Sequence, residues 1–159
     1  YADRKFYPDA NSTMRLSFGT IGSYSPYDGA DYGYYTTVKG IFEKVKEHSG
    51  DPDFAVQPEV LSLLSSGDFG RYADTKGDMN VCFISNNDIT GGNSGSAMFN
   101  GKGELLGLAF DGNWEAMGSD ILYEPKMQRT IGVDVRYILF MIEKYGKAGN
   151  LIQELNILN

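Results

Sequence analysis

The chain has 159 residues, 42% of them apolar, and a formal net charge of −7. That length and composition fit one folded domain with a sizeable core and exclude a disordered segment. The acidic balance excludes a nucleic-acid binder, which needs a basic face, and argues mildly against an anionic membrane surface.

Cys82 is the only cysteine, so there is no internal disulfide, and a lone thiol suits either side of a membrane. No apolar run reaches membrane-spanning length, and no signal peptide is visible, so membrane insertion is not expected. The chain opens at Tyr1 rather than Met, which suits a mature terminus or an excised fragment. Eleven Tyr, nine Phe and twenty Gly favour strands and turns over a helix bundle.

Residues 1–12 are polar and turn-rich. Met14, Leu16 and Phe18 alternate with Arg15 and Ser17, the period of a half-buried strand. Gly19, Gly22, Pro26 and Gly29 then punctuate a loop that carries Tyr24, Tyr27, Tyr32, Tyr34 and Tyr35. Those tyrosines read as packing groups. From Thr36 to Val45 two periods compete. Thr36-Thr37-Val38 favours a strand, whereas Val38, Ile41, Phe42 and Val45 fall at helical spacing. Ser49-Gly50-Asp51-Pro52 stops the segment and leaves His48, the single histidine, as an exposed residue at its end. A catalytic base is held by packing and oriented by a carboxylate, and nothing near His48 supplies either.

Pro58 to Leu64 is predicted as a short helix, ended by Ser65-Ser66-Gly67. Met79 to Ile84 is a strand apolar on both faces, hence interior, with Cys82 as a small buried group. Ala97-Met98-Phe99 is a short strand, Asn100-Gly101-Lys102-Gly103 a hairpin turn, and Leu105 to Phe110 the returning strand. Gly107 there allows close backbone approach, and Asp111-Gly112-Asn113 breaks the strand. Ile131, Val133 and Val135 alternate as a further strand. Ile138, Met141, Ile142 and Tyr145 predict an amphipathic helix ended by Gly146. Leu151 to Leu158 is a last short helix or strand. No internal repeat, charged tail or low-complexity linker interrupts this order, which is mainly β with a C-terminal helix.

Between the interior strand and the hairpin lies Ile89-Thr90-Gly91-Gly92-Asn93-Ser94-Gly95-Ser96. A serine among glycines lets backbone N–H groups approach a developing oxyanion. Ser94 is the candidate nucleophile, and the N–H groups of Gly92 and Ser94 are the candidate oxyanion donors. One such donor is worth about 3 kcal/mol of barrier. Metal-ligand spacing, phosphate-binding glycine loops and a CxxC pair are absent, so neither metal nor cofactor is expected. Asp51 and Asp53 read as solvated.

The serine loop resembles that of chymotrypsin-like serine peptidases. Asn93 replaces the Asp usual before the serine in pancreatic-type enzymes, so activation by an ion pair to a new N-terminus is not expected. Further stretches narrow the resemblance. These are Gly107-Leu108-Ala109-Phe110-Asp111-Gly112-Asn113-Trp114-Glu115-Ala116-Met117 and Gln128-Arg129-Thr130-Ile131-Gly132-Val133-Asp134-Val135-Arg136-Tyr137, with Met14 to Gly19 and Gly70 to Asp74 upstream. Together they resemble the C-terminal part of the bacterial dipeptidyl-peptidases called seven and eleven.

The resemblance implies a periplasmic or cell-surface serine exopeptidase that releases N-terminal dipeptides, with a chymotrypsin-like double β-barrel and an inserted helical domain. Residues 1–159 would be the second, six-stranded barrel with a C-terminal helix, roughly the last quarter of a longer enzyme. It allows a homodimer of the full-length protein. It implies Ser94 as nucleophile, Gly92 and Ser94 as oxyanion hole, and Asp111 as the carboxylate that holds the substrate's free amino group. Gly112 would be the floor of the specificity pocket, where the Asp/Glu-selective branch has Arg. Gly there implies a bulky or apolar residue before the scissile bond, and Gly112→Arg should move preference toward acidic side chains. The family's triad histidine and aspartate lie upstream of this stretch, and His48 does not match that histidine, so the isolated chain is expected to be inactive. A glutamyl-type endopeptidase, which shares the Gly-Asn-Ser-Gly-Ser loop, and a non-catalytic peptide-binding β-domain are the alternatives.

Overall fold

The computed structural model describes residues 14–119 and 121–158. The turn-rich stretch over residues 1–12 lies outside them. Five strands make one antiparallel sheet: β1 (Tyr35–Thr37), β2 (Asn80–Ser85), β3 (Ala97–Phe99), β4 (Leu105–Gly112) and β5 (Thr130–Asp134). Their order across the sheet is β1-β2-β5-β4-β3. β2 is therefore interior, as its two apolar faces require, and β5 is the middle strand.

Two glycines set how closely these strands pack. A Cβ on Gly107 would lie 2.1 Å from the Val133 carbonyl and 2.8 Å from the Phe83 ring. A Cβ on Gly132 would lie 2.7 Å from that same ring and from the Met98 sulfur. The buried Phe83 ring thus occupies space that only glycine leaves free on β4 and β5.

The competing signals over residues 36–45 are both satisfied. β1 ends at Thr37, which is extended, and helix α1 (Val38–Glu47) begins at the next residue. Val38 turns inward and donates its N–H to the Met79 carbonyl at 3.1 Å. Helix α2 (Pro58–Ser65) starts on a proline, which has no N–H to leave unpaired, and buries Val60 and Leu64 one turn apart. Helix α3 (Val135–Phe140) is capped by Asp134, whose carboxylate accepts the Arg136 N–H at 2.9 Å. It runs on as a π-helical turn, Met141–Tyr145, and α4 (Gly149–Glu154) follows.

The helices pack together into one core. Val38, Val60, Leu64, Phe69, Tyr72, Met79, Leu139, Phe140 and Ile152 are all buried in a single cluster. Phe140 is its centre, with edge-on ring contacts to Phe69 at 5.8 Å and Tyr72 at 6.1 Å.

Two expectations are not met by the described residues. They are not mainly β, because helical segments cover more of them than strands do. Nor do the described residues close a six-stranded barrel: they form five strands in an open order. The strand expected at Met14, Leu16 and Phe18 is not among the five. Among the described residues these pair with no strand, and they are 93%, 83% and 90% exposed. Alternation supplies a strand's period but not its partner. This segment is tied down by a side chain, since Arg15 donates to the Thr90 hydroxyl at 2.8 Å.

Candidate active site

The serine loop is two tight turns in succession. The Asn93 N–H donates to the Thr90 carbonyl at 3.2 Å, and the Ser96 N–H to the Asn93 carbonyl at 2.9 Å. Gly92 and Gly95 sit at φ +96° and +83°, which residues with a Cβ rarely adopt. Asn93 stabilises its own loop, because its Oδ1 accepts the Thr90 N–H at 3.0 Å. The loop is then fixed to β4 from both sides. Gly95 donates to the Ala109 carbonyl at 2.7 Å, and the Ser96 carbonyl accepts from Ala109 at 2.8 Å.

Among the described residues, the N–H groups of Gly92 and Ser94 donate to no protein acceptor. Ser94 is exposed, and its Oγ donates to the Phe110 carbonyl at 3.1 Å. Its hydroxyl partner is thus a main-chain oxygen. His48 is engaged elsewhere: it ends α1, stacks on Phe54 with ring centroids 3.9 Å apart, and lies 3.6 Å from Glu47. His48 does end the segment, but it is half-buried against Phe54 rather than exposed, and Glu47 is the carboxylate beside it.

Phe110 accepts that bond because β4 bulges there. Ala109 pairs with Gly132 and Asp111 with Ile131, so Phe110 is an extra residue in the ladder. Up to that point Gly107 and Ala109 face the buried side. Strict alternation would put Asp111 on the buried side too. The extra residue reverses the parity, so Asp111 stands exposed beside Phe110. β4 also runs two residues further than its sequence implies, through Gly112, and stops at Asn113. The bulge leaves Phe110 and Asp111 exposed in succession, with Ser94 bonded to the Phe110 carbonyl and Gly112, half-buried, next along the strand. The Asp111 carboxylate accepts the Gly112 N–H at 2.7 Å.

Beyond Gly112 the chain is pinned by side chains whose role sequence reasoning missed. Asn113 replaces the strand ladder with a closed set of bonds to the start of β5. Its N–H reaches the Arg129 carbonyl at 2.9 Å, and its Oδ1 accepts the Arg129 N–H at 2.8 Å. Its Nδ2 donates to Glu115 at 2.7 Å and to the Met127 carbonyl at 2.9 Å. Glu115 also accepts from the Tyr24 hydroxyl at 2.9 Å. Burial pushes that hydroxyl above the ordinary tyrosine range; the hydrogen bond to Asn113 opposes the shift and Glu115 adds to it. Arg129 is buried and donates to four carbonyls, those of Gly22, Ser23, Pro125 and Gln128. Its guanidinium lies 5.2 Å from the Tyr24 ring centre. The only sequence signal for this network is an Asn directly after a strand-ending glycine, with Glu two residues on.

Cys82, expected as a buried group, is half-buried in β2, and burial pushes its thiol above the ordinary range. Among the described residues, no group of three His, Cys, Asp or Glu side chains is placed to hold a metal. No described helix is long and apolar enough to cross a membrane.

Comparison with known proteins gives a consistent answer. The profile of one protein family, Peptidase S46, matches residues 1–157. Dipeptidyl-peptidase 7 of Porphyromonas endodontalis is 61% identical over 156 residues, which cover 98% of this chain and 19% of that protein. The Asp/Glu-specific dipeptidyl-peptidase of Porphyromonas gingivalis is 46% identical over 155 residues, covering 98% of this chain and 21% of that protein. The crystal structure of Porphyromonas endodontalis DPP11 with the dipeptide Arg-Glu superposes with a TM-score of 0.85 at 44% identity, covering 92% of this chain and 21% of that one. The chain thus spans about a fifth of the length of the curated relatives it matches.

Proposed function

The chain belongs to the peptidase S46 family, and from that premise we propose that it is the nucleophile-bearing part of a longer serine-type dipeptidyl-peptidase. The observation that carries this reading is the junction of Ser94 with the bulged end of β4. Ser94 Oγ lies 3.1 Å from the Phe110 carbonyl, and Asp111 and Gly112 follow at once on the same strand. In this reading Ser94 Oγ attacks the scissile carbonyl, and the unused N–H groups of Gly92 and Ser94 hold the oxyanion that forms. The Asp111 carboxylate holds the substrate's ammonium group at a fixed reach from Ser94, which measures off two residues. Gly112 leaves the specificity pocket uncharged, so the residue before the scissile bond is hydrophobic. Peptides with a free N-terminus are the substrates, and the full-length protein works in the periplasm or at the bacterial cell surface.

The base that takes the Ser94 proton comes from sequence outside residues 1–159. The isolated chain therefore has no peptidase turnover, since loss of the base alone costs on the order of a millionfold.

One assay separates this reading from its competitors. The full-length protein is given matched peptides with free and acetylated N-termini. Turnover of the free peptides only, releasing dipeptides, is expected. Equal cleavage of both would replace the exopeptidase reading with an endopeptidase, and cleavage of neither would leave a peptide-binding domain.

A further inference from the structure

Gly112, the proposed floor of the specificity pocket, has Ala116 as its nearest neighbour. Gly112 does not sit in the left-handed region, so its backbone would accept a side chain without strain. The obstacle is a neighbour. A Cβ built on Gly112 would lie 2.9 Å from the Cβ of Ala116, closer than two carbon atoms approach without one of them moving. The next atom it would meet, the Arg129 carbonyl oxygen, is at an ordinary 3.8 Å. One methyl group therefore decides whether position 112 can carry a side chain.

Ala116 is poorly placed to retreat. It lies in the 3-10 turn Trp114–Gly118, and its N–H donates to the Asn113 carbonyl at 2.9 Å. Its own carbonyl accepts from Ser119 at 2.9 Å. Asn113 is held by Arg129 and Met127, and Glu115, directly before Ala116, is held by Asn113 and Tyr24. A flexible side chain would swing away from an intruding Cβ. An alanine methyl has no such freedom and moves only with its backbone, which is bonded on both sides.

We propose that Ala116 is a second specificity-determining residue, coupled to position 112, so that a side chain rising from position 112 is accommodated only when the methyl at position 116 is removed. This rests on the assignment of Gly112 to the specificity pocket. It also revises the expectation that Gly112→Arg by itself redirects the enzyme toward acidic residues: the stem of that arginine starts where the Ala116 methyl already sits.

The test is a double-mutant cycle in the full-length protein, with kcat/KM measured on dipeptidyl substrates that carry Leu or Glu before the scissile bond. The variants are Gly112→Arg, Ala116→Gly and the two combined. Gly112→Arg alone should lose Leu turnover and gain little on Glu. The double variant should exceed Gly112→Arg on Glu by about tenfold or more. A smaller pair, Gly112→Ala with and without Ala116→Gly, keeps the test open should the arginine variant fail to fold. There Ala116→Gly should restore Leu turnover that Gly112→Ala alone depresses. A Gly112→Arg single variant that already prefers Glu as strongly as the double would overturn the coupling and leave the pocket assignment intact. Folded single and double variants that all keep the wild-type Leu preference would overturn the coupling together with the pocket assignment.

Discussion

The helical half of the molecule and the half that carries Ser94 are built on different terms. Between α1, α2 and α3 every large apolar residue of the core finds partners, and Phe140 and Met79 have no exposed surface at all. Around the bulged end of β4 the apolar residues face outward: Phe110, Trp114, Met117, Ile121 and Leu122 are all exposed, Trp114 by 83%. Order in that half comes from polar bonds instead, those of Asn113, Glu115, Tyr24 and Arg129 and the paired turns of the serine loop. Burial secures the first region, and directional bonds set the geometry of the second. If Ser94 and its neighbours carry the chemistry as proposed, the contrast separates stability from chemistry, and the site depends on positions whose substitution disturbs little of the core.

Substitutions on either side of that division should fall into two classes. Ser94→Ala in the full-length protein should cut turnover on the order of a millionfold. Because Ser94 is exposed, its melting temperature should stay that of the wild type; a large drop would mean that the serine loop also supports the fold. Phe140→Ala should do the reverse. Removing a fully buried ring costs about 3–5 kcal/mol of stability, and the fraction that stays folded should keep its KM. A changed KM in folded protein would show that the two regions are coupled.

The smallest effect lies at the edge of the core. Tyr72 donates to Glu143 at 2.5 Å. Burial first, and then Glu143, push the Tyr72 hydroxyl up to about 12. The same hydrogen bond is the main reason the Glu143 carboxyl is held below its usual range. Tyr72→Phe should therefore cost about 1.5–3 kcal/mol near neutral pH, as for a hydrogen bond to a charged group. The signs follow from linkage. A raised tyrosine stabilises the fold fully below its unfolded value near 10 and loses that contribution as pH rises toward about 12. A depressed glutamate contributes above its unfolded value and loses it as pH falls. The difference in melting temperature between wild type and Tyr72→Phe should thus be largest near neutrality and shrink at both ends. A difference that is flat with pH would show that only packing was lost.

The parts legible in the sequence are those fixed by local chemistry. The Asn100 to Gly103 turn follows from its residue types and α2 from Pro58 with the apolar Leu61 and Leu64. The spacing of Ile138 to Tyr145 marks a helical stretch, but Met141–Tyr145 is the π-helical turn and Val135, read as the end of a strand, opens α3. The close approach at Gly107 was legible because a strand glycine has few other uses. What escaped depends on pairs of segments. The bulge at Phe110 is a mismatch between β4 and β5, so β4's own residues do not show it, and they read as a strand that breaks too early. Met14 to Phe18 have a strand's alternation but no edge to join. Ala116 is invisible as a neighbour of Gly112 until the 3-10 turn folds it back. The tight turns around Ser94 are legible because Gly92 and Gly95 take positive φ; the partner of its hydroxyl, the Phe110 carbonyl, leaves no trace in residue identity.

The identity of the nucleophile is tested most directly by treating the full-length protein with a fluorophosphonate and mapping the modified peptide. If Ser94 is the attacking group, a single adduct forms on Ser94 and is absent from Ser94→Ala. An adduct on any other residue, or labelling that survives Ser94→Ala, would contradict that assignment.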